Sequence, residues 1–287
     1  MQTGAASARQ AAREAAECLE SVGVPEPIAS AEVLLSELLG IGRAEIPFHK
    51  ESLTEEQRAA YGAWISRRKD REPVQRILGY AYFRNLRLDL DENTLIPRPD
   101  TESVVDVALE IMDRRGGVGR VLDLGTGSGA IAVSIAQERP LCEVHATDIS
   151  EAALETARRN AKKAGATIHF HRADMAEGLE NLIGGVDLLV SNPPYVPNSD
   201  LPDLAPEVRD WDPRTALDGG PDGLLYYRRI FAEAIHLLAP GADMVLEVGD
   251  GQSEAVLELG RRAGLVPIGV HSDLGGTIRA VLLRWER

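Results

Sequence analysis

The fold is decided by the stretch Val121-Leu122-Asp123-Leu124-Gly125-Thr126-Gly127-Ser128-Gly129. It predicts a buried strand that runs into a glycine-rich turn and then into a helix. Glycines in such a turn let the backbone adopt positive φ and approach a ligand closely. The N–H groups at the start of the following helix favour an anionic group. In a doubly wound sheet, this turn lies at the carboxyl ends of the strands, where a cofactor binds.

Helices and strands alternate on both sides of this turn. The hydrophobic pattern predicts strands over 120–124, 143–148, 167–174, 186–191 and 242–248, and helices over 100–115, 129–138, 150–164, 223–238 and 252–263. The final strands, 265–271 and 277–285, have no helix between them and predict an antiparallel hairpin at one edge. Because alternating elements form right-handed crossovers, we predict an α/β fold with a doubly wound, mostly parallel sheet.

A different pattern precedes this domain. Residues 1–75 predict a small helical bundle, with helices over 8–19, 25–39 and 55–69. Residues 76–97 predict a β-hairpin that links the bundle to a domain over 98–287, because apolar and polar residues alternate there. Asp91-Glu92-Asn93 is the predicted turn of that hairpin. From its position, the bundle is a candidate docking surface for a protein substrate.

Two cofactor classes compete for the glycine-rich turn. A dinucleotide site has the spacing Gly-x-Gly-x-x-Gly, whereas this turn reads Gly125-x-Gly127-x-Gly129 after Asp123. The observed spacing is the form common among S-adenosylmethionine enzymes. Asp148 ends the next predicted strand, and its two oxygens match the two hydroxyls of a ribose. A tight turn without a ligand and a helix cap at Asp148 are the structural alternatives.

The third predicted strand ends at Asp174, which can accept an adenine amino group, and Met175 can lie against the ring face. We therefore predict S-adenosylmethionine as the cofactor and no metal. The predicted cofactor-binding residues are Gly125, Thr126, Gly127, Ser128, Gly129, Asp148, Asp174, Met175 and Asn192.

Asn192-Pro193-Pro194-Tyr195 directly follows the strand predicted over 186–191. A stiff turn explains the prolines but not the residues at each end. An amide nitrogen is a poor nucleophile because its lone pair is delocalised. Two acceptors, the Asn192 side-chain oxygen and the Pro193 carbonyl, can hold its N–H bonds and present the lone pair, while Tyr195 stacks on the planar group. We predict Asn192, Pro193 and Tyr195 as catalytic and all four residues as substrate-binding.

Composition limits the partners. The formal net charge is −14, from 31 basic and 45 acidic residues, which disfavours a grip on a long nucleic-acid backbone. We expect no direct nucleic-acid partner. No apolar run reaches the length of a membrane span, so we expect no membrane partner. The two cysteines, Cys18 and Cys142, form neither a disulfide framework nor a zinc motif and fit a cytoplasmic protein. We expect a monomer.

The glycine-rich turn and Asn192–Tyr195 together resemble the amino-methyltransferases, and further motifs resemble the HemK/PrmC-type release factor glutamine methyltransferases. Those motifs are 73–79, 95–102, 216–224 and the stretch from Glu247 to Gln252. The resemblance covers almost the whole chain. It implies a class I S-adenosylmethionine methyltransferase fold and methylation of the glutamine in the Gly-Gly-Gln motif of peptide chain release factors. It also implies cofactor contacts at Gly125–Gly129, Asp148 and Asn192. Where the family often has an aromatic residue, this chain has Met175.

Two rival functions remain open on the sequence. A nucleic-acid adenine methyltransferase would use the same tetrapeptide on the exocyclic amine of a flipped base. A binding protein with an inactive site is the other, although the intact glycines, Asp148 and Asn192 count against it. Arg98 and Thr101 are expected beside the cofactor, where an ion pair and a helix cap are as plausible as ligand contacts.

Overall fold

The computed structural model describes residues 7–287, so the first six residues of the predicted bundle lie outside the described part. The chain forms two compact units. One comprises residues 7–79 together with Pro206–Trp211, and the other comprises Tyr80–Ala205 together with Asp212–Arg287.

The first unit is helical, as the sequence predicts. Its helices are α1 (Ala8–Glu20), α2 (Pro27–Leu39), α3 (Glu55–Lys69) and the short α4 (Val74–Leu78). The three long helices agree with the predicted ones to within two residues. Thr54 begins α3 with a reciprocal capping box, in which its hydroxyl accepts from the Gln57 N–H and the Gln57 side chain accepts from the Thr54 N–H.

The second unit begins with a β-hairpin, β1 (Tyr80–Phe83) and β2 (Leu86–Asp89). Its turn lies at residues 84–85, so the predicted hairpin turn at 91–93 is wrong. The backbone turns early because Arg84 adopts a φ of +50°, a conformation that arginine rarely takes and that the sequence does not signal. Asp91 does form a local turn, in which its carboxylate accepts from the Asn93 N–H at 2.9 Å, but no strand follows it.

A seven-stranded sheet forms the centre of this unit. Its strands are β3 (Gly119–Leu124), β4 (Cys142–Asp148), β5 (Ile168–Arg172), β6 (Val186–Ser191), β7 (Leu238–Glu247), β8 (Val266–Ser272) and β9 (Ile278–Arg284). The order is β5-β4-β3-β6-β7-β9-β8. Strands β3 to β7 are parallel, whereas β9 is antiparallel to both β7 and β8. The predicted doubly wound sheet with an antiparallel edge hairpin is therefore confirmed.

Two details of the prediction are corrected. Strand β5 ends at Arg172, so Asp174 does not end a strand but lies two residues beyond it. The helix predicted over 223–238 spans only Leu225–Glu233, and a short 3-10 turn replaces its last part. Both errors extend a regular element past the point where its backbone hydrogen bonds stop.

Helices cover both faces of the sheet. They are α5 (Glu102–Arg114), α6 (Ala130–Glu138), α7 (Glu151–Ala164), α9 (Leu225–Glu233) and α10 (Ser253–Arg262), whereas the short α8 (Pro206–Arg209) belongs to the first unit. Alternate residues of β3 enter two separate cores: Val121 packs with α5 and α6, and Leu122 packs with α9 and α10. Both side chains are fully buried, as expected for a parallel strand between helical layers.

Helix α8 belongs to the first unit although the chain around it belongs to the second. Glu207 anchors it there. Its carboxylate accepts from Arg71 at 2.7 and 2.6 Å and from Arg68 at 3.0 Å. The Arg68 side chain is only 5% exposed, so this is a largely desolvated charge pair.

Candidate active site

An open cavity of about 250 Å³ lies at the carboxyl ends of the central parallel strands. Most of the sequence-predicted site residues form its wall: Gly125, Thr126, Gly127, Ser128, Asp148, Asp174, Met175, Asn192 and Pro194. They come from the ends of four different strands or from the loops that follow them. The structure therefore brings together residues that are up to about seventy positions apart in sequence.

The glycine-rich turn is held by two hydrogen bonds to the end of the neighbouring strand β4. The Thr126 N–H donates to the Thr147 carbonyl at 2.8 Å, and the Gly127 N–H donates to Asp148 Oδ2 at 2.9 Å. Gly125 and Gly127 have φ angles of +73° and +56°. A Cβ atom at either position would meet no atom within 4 Å. Glycine is therefore required here by backbone conformation, and the space above the turn stays open for a ligand.

Asp123 anchors the turn from below, a role that the sequence analysis did not assign. Its Oδ2 accepts from the Thr126 hydroxyl at 2.6 Å and from the Ala132 N–H at 3.2 Å. The residue is 1% exposed, and burial raises the pKa of its carboxyl to about 7, against the opposing hydrogen bonds. An acid inside an otherwise apolar strand was the signal that could have identified it.

Asp148 stands at the cavity wall with both oxygens partly used. Oδ1 accepts from the Ser150 N–H and Oδ2 from the Gly127 N–H, each at 2.9 Å. A carboxylate oxygen can accept a second hydrogen bond, so both retain capacity for a diol. Helix α7 is capped by Ser150, whose hydroxyl accepts from Ala153, and not by Asp148. Burial raises the pKa of Asp148.

Asp174 and Met175 also belong to the cavity wall. Asp174 pairs with Arg229 of α9 at 2.9 Å. Met175 has a φ of +54°, unusual for a side chain of this size. Ile149 also lines the cavity and is 59% exposed, so Ile149 and Met175 both contribute apolar surface to this wall. Arg229 was missed by sequence reasoning because its helix precedes a different strand.

Three predicted residues, Gly129, Pro193 and Tyr195, are not part of the cavity wall that residues 7–287 form. Gly129 begins α6 next to α7, where a Cβ would lie 3.1 Å from that of Ala157. Its glycine therefore permits close helix packing. Pro193 is buried and Tyr195 is half-buried.

The tetrapeptide Asn192–Tyr195 is braced by residues that the sequence analysis gave no role. The Gln252 side chain donates to the Tyr195 carbonyl at 2.9 Å, and its oxygen accepts from the Gly249 N–H at 3.1 Å. Gly219 packs so closely that a Cβ there would lie 2.7 Å from the Tyr195 backbone. The motifs at 216–224 and 247–252 thus support the tetrapeptide.

Asn192 has a defined orientation. Its side-chain NH2 donates to the Thr101 hydroxyl at 3.2 Å. The amide oxygen therefore remains as the hydrogen-bond acceptor of this side chain. Thr101 lines the same cavity together with Arg98, and Arg98 forms an ion pair with the buried Asp212. The ion pair expected for Arg98 is present, and its contact with a ligand stays a prediction.

These residues fit S-adenosylmethionine. The glycine turn leaves open space above exposed backbone, Asp148 offers two unsaturated acceptors for a ribose, and Met175 and Ile149 provide apolar surface for an adenine ring. A doubly wound sheet with this site at its carboxyl edge defines a class I S-adenosylmethionine-dependent methyltransferase.

Comparison with known proteins narrows this class. Family profiles match residues 10–79 as "PrmC N-terminal domain" and residues 102–205 as "Methyltransferase small domain". The release factor glutamine methyltransferase of Rhodospirillum rubrum is 40% identical over 93% of this chain and 81% of its own length. The enzyme of that name from Geobacter sulfurreducens is 40% identical over 92% and 91%. The chain belongs to the release factor glutamine methyltransferase family.

A solved structure supports the fold independently. The methyltransferase from Pyrococcus furiosus superposes with a TM-score of 0.51 at 19% identity, covering 71% of this chain and 91% of that one. This likeness confirms the predicted fold class. The family membership confirms the predicted methyltransferase activity and S-adenosylmethionine as the methyl donor. Within residues 7–287, no helix has both the length and the apolar character needed to cross a bilayer.

Proposed function

We propose that this enzyme transfers a methyl group to the side-chain amide nitrogen of the glutamine in the Gly-Gly-Gln motif of peptide chain release factors. The family of the chain supports the substrate class, since its relatives carry that name. The observation that carries the proposal is the setting of Asn192. Its NH2 group is bonded to Thr101, so its oxygen is the acceptor available for a substrate N–H.

When bound, S-adenosylmethionine supplies an electrophilic methyl group. The protein's part is to position the acceptor. We propose that the Asn192 side-chain oxygen and the Pro193 carbonyl accept the two amide N–H bonds and turn the nitrogen lone pair towards the methyl group. Tyr195 would pack against the planar amide, and Pro194, in the cavity wall, would limit its position. An N-methylated amide nitrogen loses its extra proton readily, so no histidine is needed as a base.

The remaining predicted residues are proposed to hold the methyl donor. The backbone of Gly125–Gly129, including Thr126 and Ser128, would contact its amino-acid end, and Asp148 would accept the ribose hydroxyls. Asp174 would accept the adenine amino group with Met175 against the ring. The pairing of Asp174 with Arg229 supports its placement at the rim of the cavity but also means that adenine would share this carboxylate.

For the rest of the molecule we propose three domains: a docking bundle over residues 1–75 that binds the release factor, a linking segment over 76–97, and a methyltransferase domain over 98–287. We propose a monomer in the cytoplasm, where release factors act. The net charge of −14 disfavours nucleic acid as a direct partner.

Labelled methyl donor incubated with a release factor tests the proposal. Wild-type factor should become labelled, and the factor with its Gly-Gly-Gln glutamine replaced should not. Equal labelling of both would place the methylated residue elsewhere. No labelling, with the donor bound normally, would contradict the proposed substrate, and methylation of duplex DNA or RNA instead would support the nucleic-acid alternative.

A further inference from the structure

Glu247 is a buried acid directly behind the Asn192–Tyr195 tetrapeptide. It is the last residue of β7 and is 1% exposed. Its Oε2 has no hydrogen-bond partner among residues 7–287. A buried carboxylate without full hydrogen bonding is destabilising, so an acid at this place calls for a reason beyond packing.

The surroundings of Glu247 connect it to both ends of the tetrapeptide. The Tyr195 hydroxyl lies 3.5 Å from Glu247 Oε1. The Thr101 side chain is near enough to the same carboxyl group to lower the pKa of Glu247 and so favour its ionised form. Thr101 in turn accepts from the Asn192 NH2 at 3.2 Å. Glu247 is therefore linked directly to Tyr195 and, through Thr101, to Asn192.

We propose that Glu247 is a positioning residue for methyl transfer, whose ionised carboxylate fixes the orientations of the Asn192 amide and the Tyr195 ring. An ionised Glu247 only accepts hydrogen bonds, so the Thr101 hydroxyl must donate to it and present its lone pair to the Asn192 NH2. The Asn192 oxygen is thereby kept as the acceptor for the substrate. This inference rests on the proposed function.

Protonation of Glu247 removes the fixed direction of these hydrogen bonds. A protonated carboxyl can donate to Thr101 or Tyr195, and the Thr101 hydroxyl is then no longer held in one direction. Burial raises the pKa of Glu247 to about 7, the charge of Asp100 adds to this, and Thr101 and Arg279 oppose it. The charged and titratable groups that face it are Asp100, Tyr195, Tyr227 and Arg279. The positioning is therefore present above about pH 7 and lost as the pH falls below it.

The test is the turnover ratio of wild type to Glu247→Gln, measured on a release factor at a series of pH values from about 6 to 8, the range around that pKa. We expect kcat to fall about 10- to 100-fold in the variant at the alkaline end and the ratio to shrink as the pH is lowered. The KM for the methyl donor should stay unchanged, since Glu247 does not line the donor cavity that the described residues form.

Asp243→Asn is the matched control. Asp243 is a buried acid on the same strand, is 6% exposed and pairs with Arg284 at 2.8 Å. Its loss should lower stability but leave the pH profile of turnover as in the wild type. Glu247→Gln should melt at the same or a higher temperature than the wild type at pH 8, because an ionised carboxyl with a raised pKa opposes folding there.

A Glu247→Gln enzyme with wild-type kcat and an unchanged pH profile would overturn the inference. So would a variant whose kcat falls by the same factor at every pH. An inactive wild type would instead contradict the proposed function, so the two failures are distinguishable. If Glu247→Gln does not fold, Thr101→Val removes the hydroxyl between Asn192 and Glu247. The ratio of wild-type turnover to that of this variant should also shrink as the pH is lowered.

Discussion

At the scale of single residues, the site depends on which hydrogen-bonding capacity is already used. Each carboxylate oxygen of Asp148 already accepts one backbone hydrogen bond, and the Asn192 NH2 already donates to Thr101. The acceptors still available to a ligand are the two carboxylate oxygens of Asp148 and the amide oxygen of Asn192. This remaining capacity allows the two residues to be assigned to different ligands, and each assignment can be tested separately.

Asp148→Ala is expected to weaken S-adenosylmethionine binding about 10-fold or more, because a buried diol would lose its acceptors. Isothermal titration calorimetry measures the change. Asp106→Ala is a suitable control, since that carboxylate is 54% exposed and pairs with Arg84 away from the cavity wall. Unchanged affinity in Asp148→Ala would contradict the ribose contact.

Asn192→Ala is expected to abolish turnover while donor affinity stays within a few fold, because the acceptor oxygen is lost and the glycine turn is untouched. Single-turnover methylation and donor titration measure the two quantities. If the donor no longer binds, Asn192 mainly shapes the cavity and does not hold the substrate amide.

At the scale of elements, a helix or strand is predicted correctly where the residues that determine its ends lie within it. The long helices and the strand 186–191 are predicted well because their periodicity and end signals lie within the element. The hairpin turn at Arg84 is missed because it depends on a rare φ angle. The end of β5 is missed because it depends on where pairing with β4 stops. Glu247, Gln252 and Arg229 are missed as site residues because only tertiary contacts bring them to the tetrapeptide or cavity.

Close packing of a neighbouring loop supports the tetrapeptide, and Gly219→Ala tests this. The added Cβ would lie 2.7 Å from the Tyr195 backbone, so Tyr195 has to move. We expect a loss of about 2 kcal/mol in stability and a fall in turnover of about 10-fold or more. Gly269→Ala is the control, because neither glycine has a positive φ and a Cβ at Gly269 meets nothing within 4 Å. Similar turnover in the two variants would argue against this support.

At the scale of the whole molecule, Glu207 is the residue through which a loop of the methyltransferase sequence joins the helical unit. Burial raises its pKa, but the hydrogen bonds from Arg71 and Arg68 outweigh burial, and the net pKa lies below its usual value of 4.5. A carboxyl with a lowered pKa stabilises the fold above its unfolded pKa and loses this effect as the pH falls through the folded one.

Glu207→Gln is therefore expected to lower stability at pH 7, with a difference from wild type that narrows as the pH falls below about 4.5. Urea denaturation at several pH values measures this difference. Glu254→Gln removes an 81% exposed partner of Arg261 and should change little at any pH. A constant difference between Glu207→Gln and wild type across this range would contradict the charge pairing.

Because Pro206–Trp211 belongs to the first unit, more than one peptide connection joins the two units. The polypeptide passes from one unit to the other three times: after Gly79, after Ala205 and after Trp211. A protease nick between residues 79 and 80 would leave α8 attached by peptide bonds at both of its ends and by Glu207 to Arg68 and Arg71. The two fragments should therefore elute together in gel filtration. A fragment expressed as residues 1–79 would lack Glu207, whose carboxylate pairs with Arg68 and Arg71.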